Sequence, residues 1–357
     1  MLLFSMEMPV QELRIVDANL NRASEGLRFL ENVARFTIGD SPLCQQFKNM
    51  RHDLAEETKS LGINLLSHRD AGHDVGASIK SAAHRQGRRD LSSLITANAK
   101  RAEESLRTIE ELAKLPQLSP ILKSTKFEQL RFTLYALEQQ LTSRILRQDK
   151  MNRLRGLYVI LDRQILAGRN ELEIARQVIQ SGVKIVQLRD KQSGKAELLP
   201  IAQKVKDLCA KSNALLIIND YLDLALAIDA DGLHIGQREL PLSIMRRELP
   251  IDKIIGCSVN TISQATKAQE EGADYISVGS IFPTGTKENA IVVGIDRLKQ
   301  IRQVVPSPLV AIGGINENNI SQVMAAGANS VAVISAILAK EDIEGAAKKL
   351  MAKMEMG

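Results

Sequence analysis

Leu309-Val-Ala-Ile-Gly-Gly-Ile315 reads as a short apolar strand ending in a glycine pair. An apolar run this short suits a strand buried on both faces, as in a parallel sheet. The glycines let backbone N–H groups approach a phosphate. The residues from Asn316 onward predict a helix whose N-terminal dipole favours an anion. Ile334-Ser335-Ala336, after the next apolar run, has the same character.

Six more apolar runs precede these two. With them the candidate strands are Leu157–Leu161, Ile185–Leu188, Leu215–Ile218, Gly232–Ile235, Ile254–Cys257, Tyr275–Val278, Leu309–Ile312 and Val331–Ile334. Helical periodicity falls between them, over Glu171–Gln180, Glu197–Lys211, Thr261–Glu271, Ile295–Val304 and Glu317–Ala326. Eight βα units in roughly 200 residues predict a (β/α)8 barrel. A doubly wound sheet is the alternative. Phosphate-type loops after the last two strands favour the barrel, where phosphate binding recurs at that place.

Before the barrel the pattern differs. Residues 10–148 read as helix throughout, with Leu130, Leu134, Leu137, Leu141 and Ile145 as an apolar stripe at helical spacing. Arg147-Gln-Asp-Lys-Met-Asn-Arg153 is a polar connector and the predicted boundary. The expectation is an all-helical domain over 1–150 and a barrel over 151–357. The helical part contains a duplication: Ala18–Ala34 and Ala97–Ala113 share nine of seventeen residues. The shared pairs include Asn19/Asn98, Arg22/Arg101, Glu25/Glu104, Arg28/Arg107 and Glu31/Glu110. Steps of three and four place them on one helix face. One reading is an anion- or nucleotide-binding groove lined by Arg22, Arg28, Arg101 and Arg107. The favoured reading is structural, with Arg–Glu pairs holding two packed faces together. His68, His73 and His84, near Asp70 and Asp74, lack the spacing of a structural zinc site.

The whole chain of 357 residues carries a net charge of +5, 44% hydrophobic residues, 3% aromatics and no tryptophan. That composition suits two globular domains and argues against stacking platforms for single-stranded nucleic acid. The charge is not concentrated in a tail, so it points at most to small anionic molecules. No apolar run is long enough for a membrane span. Met1-Leu-Leu-Phe-Ser-Met6 is a poor signal peptide. Cys44, Cys209 and Cys257 are odd in number and widely spaced, the pattern of reduced thiols in a cytoplasmic protein. A homo-oligomer is left open.

In such barrels the chemistry sits at the C-terminal ends of the strands. After strand two, Gln187, Arg189 and Lys191 occupy alternate positions and share a face, so an amide and two cations point one way. Solvated charges at a strand end are the bland alternative. After strand three, Asn219-Asp220 suits a Mg²⁺ ion and a polar ligand, or caps the helix beginning at Tyr221. Glu239, after strand four, is a second candidate metal ligand. His234 falls between apolar residues within that strand and reads as a buried, hydrogen-bonded histidine. Strand five ends at Ser258. Its neighbour Cys257 has no base to activate it, and no Ser/His/Asp set supports acyl transfer. After strand six, Thr284, Thr286 and Lys287 offer two hydroxyls and an ammonium on a loop shaped by Pro283 and Gly285. This rim suits two phosphorylated substrates, one of them a Mg²⁺-bound diphosphate. The matching chemistry is substitution at carbon with loss of pyrophosphate.

Gln187-Leu-Arg-Asp-Lys191, Ile218-Asn-Asp220, Asp231-Gly-Leu-His-Ile-Gly-Gln237, Gly256-Cys-Ser258, Pro283-Thr-Gly-Thr-Lys287, Ile312-Gly-Gly-Ile315 and Ile334-Ser335 together resemble thiamine-phosphate synthases, over residues 154–340. That family joins a hydroxymethylpyrimidine diphosphate to a thiazole phosphate. The resemblance implies that Gln187, Arg189, Lys191, Asn219 and Lys287 would hold the diphosphate, with Leu188 and Asp190 also among the substrate-binding residues. Asp220 and Glu239 would bind one Mg²⁺, and Ser258 would sit at the pyrimidine. Thr284, Gly285, Thr286, Gly313, Gly314, Ile334 and Ser335 would receive the thiazole phosphate. Arg189, Lys191, Ser258 and Lys287 would assist a dissociative reaction in which diphosphate leaves and the thiazole nitrogen captures a pyrimidine-stabilised cation. The family usually has Asp where this chain has Glu239. The N-terminal stretch resembles an uncharacterised helical domain fused ahead of some of these synthases.

Two rivals stand beside that reading. A thiazole tautomerase would have little use for Arg189, Lys191, Asp220 and Lys287. A non-catalytic sensor of thiamine phosphate would bind tightly without turnover.

Overall fold

The computed structural model describes residues 10–68, 90–286 and 290–355. Lys287 lies outside them, as do His73, His84, Asp70 and Asp74. Among the described residues no group of three or more His, Cys, Asp or Glu is placed to hold a metal. No described helix is long and apolar enough to cross a membrane. The chain divides into two compact units, Met1–Leu146 and Arg147–Gly357.

The first unit is helical: α1 Val10–Asn32, α2 Ser41–Glu57, the short α3 Gly62–Ser67, α4 Leu91–Leu112, and α5, which starts at Ser124 and ends at Arg153. Asp40 caps α2 by accepting from the Leu43 N–H at 2.9 Å, and Asp90 caps α4 by accepting from Ser93 at 2.7 Å. The duplicated segments lie in α1 and α4 and pack closely. A side-chain carbon at Gly26 would fall 2.8 Å from the Asn98 carbonyl oxygen. The equivalent Asn19 and Asn98 each donate to the carbonyl four residues back, both at 2.8 Å. The equivalent Glu31 and Glu110 each receive an arginine from the following helix, Arg51 at 3.0 Å and Arg131 at 3.0 Å. Arg–Glu pairing therefore holds for that one position of the repeat. The packed seam itself is apolar, with Ala23, Leu27, Ala99, Ala102 and Leu106 fully buried. Arg22, Glu25, Arg28, Arg101, Glu104 and Arg107 are exposed. The expectation that the polar faces pack on each other is corrected: small residues let the backbones approach, and these six charged side chains stay in water.

The second unit is a closed barrel of parallel strands: β1 Gly156–Asp162, β2 Ile185–Arg189, β3 Leu215–Asn219, β4 Gly232–Ile235, β5 Ile254–Val259, β6 Tyr275–Val278, β7 Leu309–Ile312 and β8 Ser330–Val333. Each predicted strand is present to within two residues at either end. β1 pairs with both β2 and β8, which closes the ring. Alternation sorts the side chains. Leu157, Val159, Leu161, Val186 and Leu188 face the helical layer. Tyr158, Ile160, Ile185, Leu215, Ile217, Ile254 and Tyr275 fill the interior.

Residues 147–153 are helical and belong to the barrel unit. Arg147 pairs with Asp274 at 3.0 Å, Lys150 with Asp252 at 3.2 Å, and Arg153 donates to Asn213 Oδ1 at 2.7 Å. The polar composition read as a connector reflects salt bridges to the strand N-terminal side of the barrel. Leu154, fully buried, packs among the interior residues.

Candidate active site

The parity of β2 sets the site. With Ile185 inside, Gln187 and Arg189 must also face inward, and Lys191 follows just beyond the strand. Gln187 donates to the Tyr158 hydroxyl at 2.8 Å. Arg189 is ion-paired with Asp162, the last residue of β1. Lys191 is ion-paired with Asp220 and lies 3.6 Å from Glu239 Oε1. Asn219 donates to the same Asp220 oxygen at 2.6 Å. Asp220 sits at φ +62° and its N–H bonds the His234 carbonyl at 2.8 Å. Its carboxylate caps no helix. The following helix, Leu222–Ala227, has Tyr221 at its cap without a side-chain bond.

Ser258 ends the inward row of β5. Its hydroxyl bonds His234 Nε2 at 2.9 Å, and His234 Nδ1 bonds the Tyr275 hydroxyl at 3.0 Å. Tyr275 in turn meets the Tyr158 hydroxyl at 3.1 Å. Gln187, Tyr158, Tyr275, His234 and Ser258 thus form one hydrogen-bonded chain across the barrel. Burial pushes both tyrosines well above their usual pKa, so the phenols stay neutral. His234 is buried and bonded at both nitrogens, in keeping with its reading from sequence. Cys257 faces the helical layer, and burial pushes its thiol up to about 11, which leaves it no nucleophile at neutral pH.

The opposite rim is built from two loops that hold each other. After β6 the Ile281 and Phe282 N–H groups bond the Ile312 and Gly313 carbonyls at 2.9 and 3.0 Å. Gly313 and Gly314 have φ of +102° and +65°, and a side-chain carbon on either would fall within 2.4 Å of Ser280 or Pro283. Glycine is required there by backbone conformation and by this contact. The Thr284 hydroxyl accepts from the Thr286 N–H at 3.2 Å. The helix expected from Asn316 begins at Ile320. Asn316 and Asn319 side chains take up the nearby N–H groups at 2.9 and 2.8 Å, holding residues 316–319 as a turn.

Gln187, Arg189, Lys191, Asn219, Asp220 and Glu239 on one side, Ser258 at the base, and Thr284, Gly285, Thr286, Gly313, Gly314, Ile334 and Ser335 on the other line one cavity of about 1280 Å³. Two predicted residues do not reach it. Leu188 has the outward parity of β2 and is buried against helices. The Asp190 carboxylate accepts from the Gln192 and Ser193 N–H groups at 2.8 and 3.0 Å and from Arg163 at 2.9 Å. Burial opposes its charge, but those donors prevail and hold it down at about 2. Asp190 therefore builds the turn that presents Lys191. Sequence reading passed over Asp162, although it follows an apolar run as the other strand-end residues do. Tyr158 and Tyr275 were hidden inside apolar runs.

Asp220 and Glu239 converge on a single cation position, now taken by the Lys191 ammonium. Two hard oxygen donors sharing one cation fit Mg²⁺, which leaves the rest of its shell to water and phosphate.

A family model described as thiamine monophosphate synthase matches residues 157–337, and one described as the ThiD2 family matches residues 14–140. The thiamine-phosphate synthase of Thermosynechococcus vestitus is 38% identical over 347 residues, 96% of this chain and 95% of its own. That of Clostridium tetani is 47% identical over 194 residues, 54% of this chain and 93% of its own. The solved thiamine phosphate pyrophosphorylase from Pyrococcus furiosus aligns with a TM-score of 0.54 at 36% identity, covering 58% of this chain and 98% of that one.

Proposed function

The chain belongs to the thiamine-phosphate synthase family, transferases of thiamine biosynthesis, and on that premise we propose how its barrel mouth divides the work. The diphosphate of a hydroxymethylpyrimidine lies against Gln187, Arg189, Lys191, Asn219 and Lys287. A thiazole phosphate lies against Thr284, Gly285, Thr286, Gly313, Gly314, Ile334 and Ser335. The supporting observation is that the inward cations and the glycine-bearing loops face each other across one cavity.

One Mg²⁺ per site, held by Asp220 and Glu239, would neutralise charge on the leaving diphosphate. Arg189 and Lys191 contribute to the same end, and the family resemblance gives Lys287 the same role. Ser258 holds the pyrimidine in register, fixed from below by His234. No protein nucleophile is involved: the carbon–oxygen bond to diphosphate breaks, and the thiazole nitrogen closes on the pyrimidine methylene. The thiamine monophosphate synthase family model, which matches residues 157–337, supports placing the reaction in the barrel.

Substrate-specific kinetics test the division. Arg189→Ala is expected to raise KM for the diphosphate at least tenfold and leave KM for the thiazole phosphate within twofold. Thr286→Ala is expected to do the reverse. Both variants shifting the same KM would refute the assignment of the two ends.

A further inference from the structure

Lys191 and Asp220 differ in freedom. The Lys191 side chain is 41% exposed on its flexible stem, whereas Asp220 is 7% exposed. Asp220 is fixed from three sides, by Asn219, by its own N–H on the His234 carbonyl, and by its left-handed backbone. Glu239 reaches the same ammonium from the loop after β4. The carboxylates are the frame and the ammonium is the movable part.

We propose that Lys191 is the resident counter-cation of the metal site, so that a divalent ion and the Lys191 ammonium compete for Asp220 and Glu239. This rests on the reading that those two carboxylates hold the ion. One pair of carboxylates cannot neutralise an ammonium and a divalent ion at the same point without strong like-charge repulsion. The substrate-free protein then binds metal weakly. A diphosphate draws the ammonium onto its own oxygens and frees the carboxylates. Metal and diphosphate therefore load as a pair, and by linkage each strengthens the other. Lys191 thus acts twice: it binds the leaving group, and it keeps the metal site closed to free ions until that group arrives.

Mn²⁺ binding to the full-length chain, followed by electron paramagnetic resonance, tests the idea without turnover. Lys191→Met keeps the stem and removes the ammonium. It is expected to tighten Mn²⁺ binding to the substrate-free protein by roughly tenfold or more. Arg189→Met removes one positive charge nearby but leaves the carboxylate pair covered, and is expected to change it by less than about threefold. Adding inorganic pyrophosphate is expected to tighten Mn²⁺ on the unaltered chain much more than on Lys191→Met. Equal effects of the two methionine variants would reduce the result to bulk charge and overturn the competition. So would unchanged binding in Lys191→Met, provided that Asp220→Asn abolishes Mn²⁺ binding. Retention of Mn²⁺ by Asp220→Asn would instead overturn the assignment of the metal ligands, and the proposal with it.

Discussion

Gly256 and Tyr275 share one slot of the barrel interior: a side-chain carbon at 256 would lie 2.0 Å from the Tyr275 ring. The absent side chain on β5 is what lets the ring cross from β6 to meet both Tyr158 and His234.

Gly256→Ala must displace that ring. The expected cost is about 2–3 kcal/mol in stability, from overpacking and a broken buried hydrogen bond. A fall in kcat should accompany it, because His234 loses the partner that orients it beneath Ser258. Thermal unfolding and steady-state kinetics together check this, and full activity in a folded Gly256→Ala chain would count against the hydrogen-bonded chain as a support for Ser258.

Asp190 makes its contribution through the turn before Lys191. Its carboxyl titrates lower in the folded chain than unfolded. Its stabilisation is therefore present above the ordinary carboxylate pKa near 4 and is lost as pH falls through about 2. Asp190→Asn is expected to lower the thermal midpoint by a few degrees at pH 7. The gap to the unaltered chain should narrow as pH falls from 4 towards 2. A constant gap across that window would contradict the titration.

The helical unit carries the opposite sign. Burial, then a hydrogen bond and repulsion from Glu103, push the Glu138 carboxyl up to about 7, against the pull of Lys100. The folded chain keeps a proton that the unfolded chain releases. This stabilisation is full below the unfolded pKa near 4.5 and is lost as pH rises through about 7. The helical unit should therefore lose roughly 1–2 kcal/mol between pH 5 and 8. Glu138→Gln keeps a donor towards Glu103 and should flatten that slope. Unfolding profiles at several pH values compare the two.

Arg147 tests where the barrel begins. Asp274 is 9% exposed and also accepts from the Ile255 N–H at 2.8 Å and from Arg246 at 3.2 Å. Arg147→Ala leaves Arg246 as its remaining cation partner among these. A loss of about 1–2 kcal/mol in barrel stability is expected, less than for a fully orphaned carboxylate. An unchanged melting transition would mean that the Arg147–Asp274 pair contributes nothing to barrel stability.

Much of this was legible from residue order. Parallel strands buried on both faces leave short apolar runs, so β1 to β8 stood out, and strand parity put Gln187, Arg189 and Lys191 on one side. What stayed hidden depends on which groups each side chain meets, some adjacent in the chain and some distant. Asp190 and Asp220 look alike as acids after strands. They differ in whether backbone N–H groups take the carboxylate up, as those of Gln192 and Ser193 do for Asp190. Asn316 to Asn319 carry a helix-like pattern, yet their side chains satisfy the backbone as a turn. Tyr158 and Tyr275 pass as ordinary strand residues until the barrel closes and their hydroxyls meet.

The most direct measurement is formation of thiamine phosphate and pyrophosphate from the two phosphorylated substrates by the purified full chain, with and without Mg²⁺, alongside Asp220→Asn. Equal amounts of both products, dependent on Mg²⁺ and lost in the variant, are predicted. Folded protein that binds the substrates but releases no pyrophosphate, or full turnover by Asp220→Asn, would contradict the account.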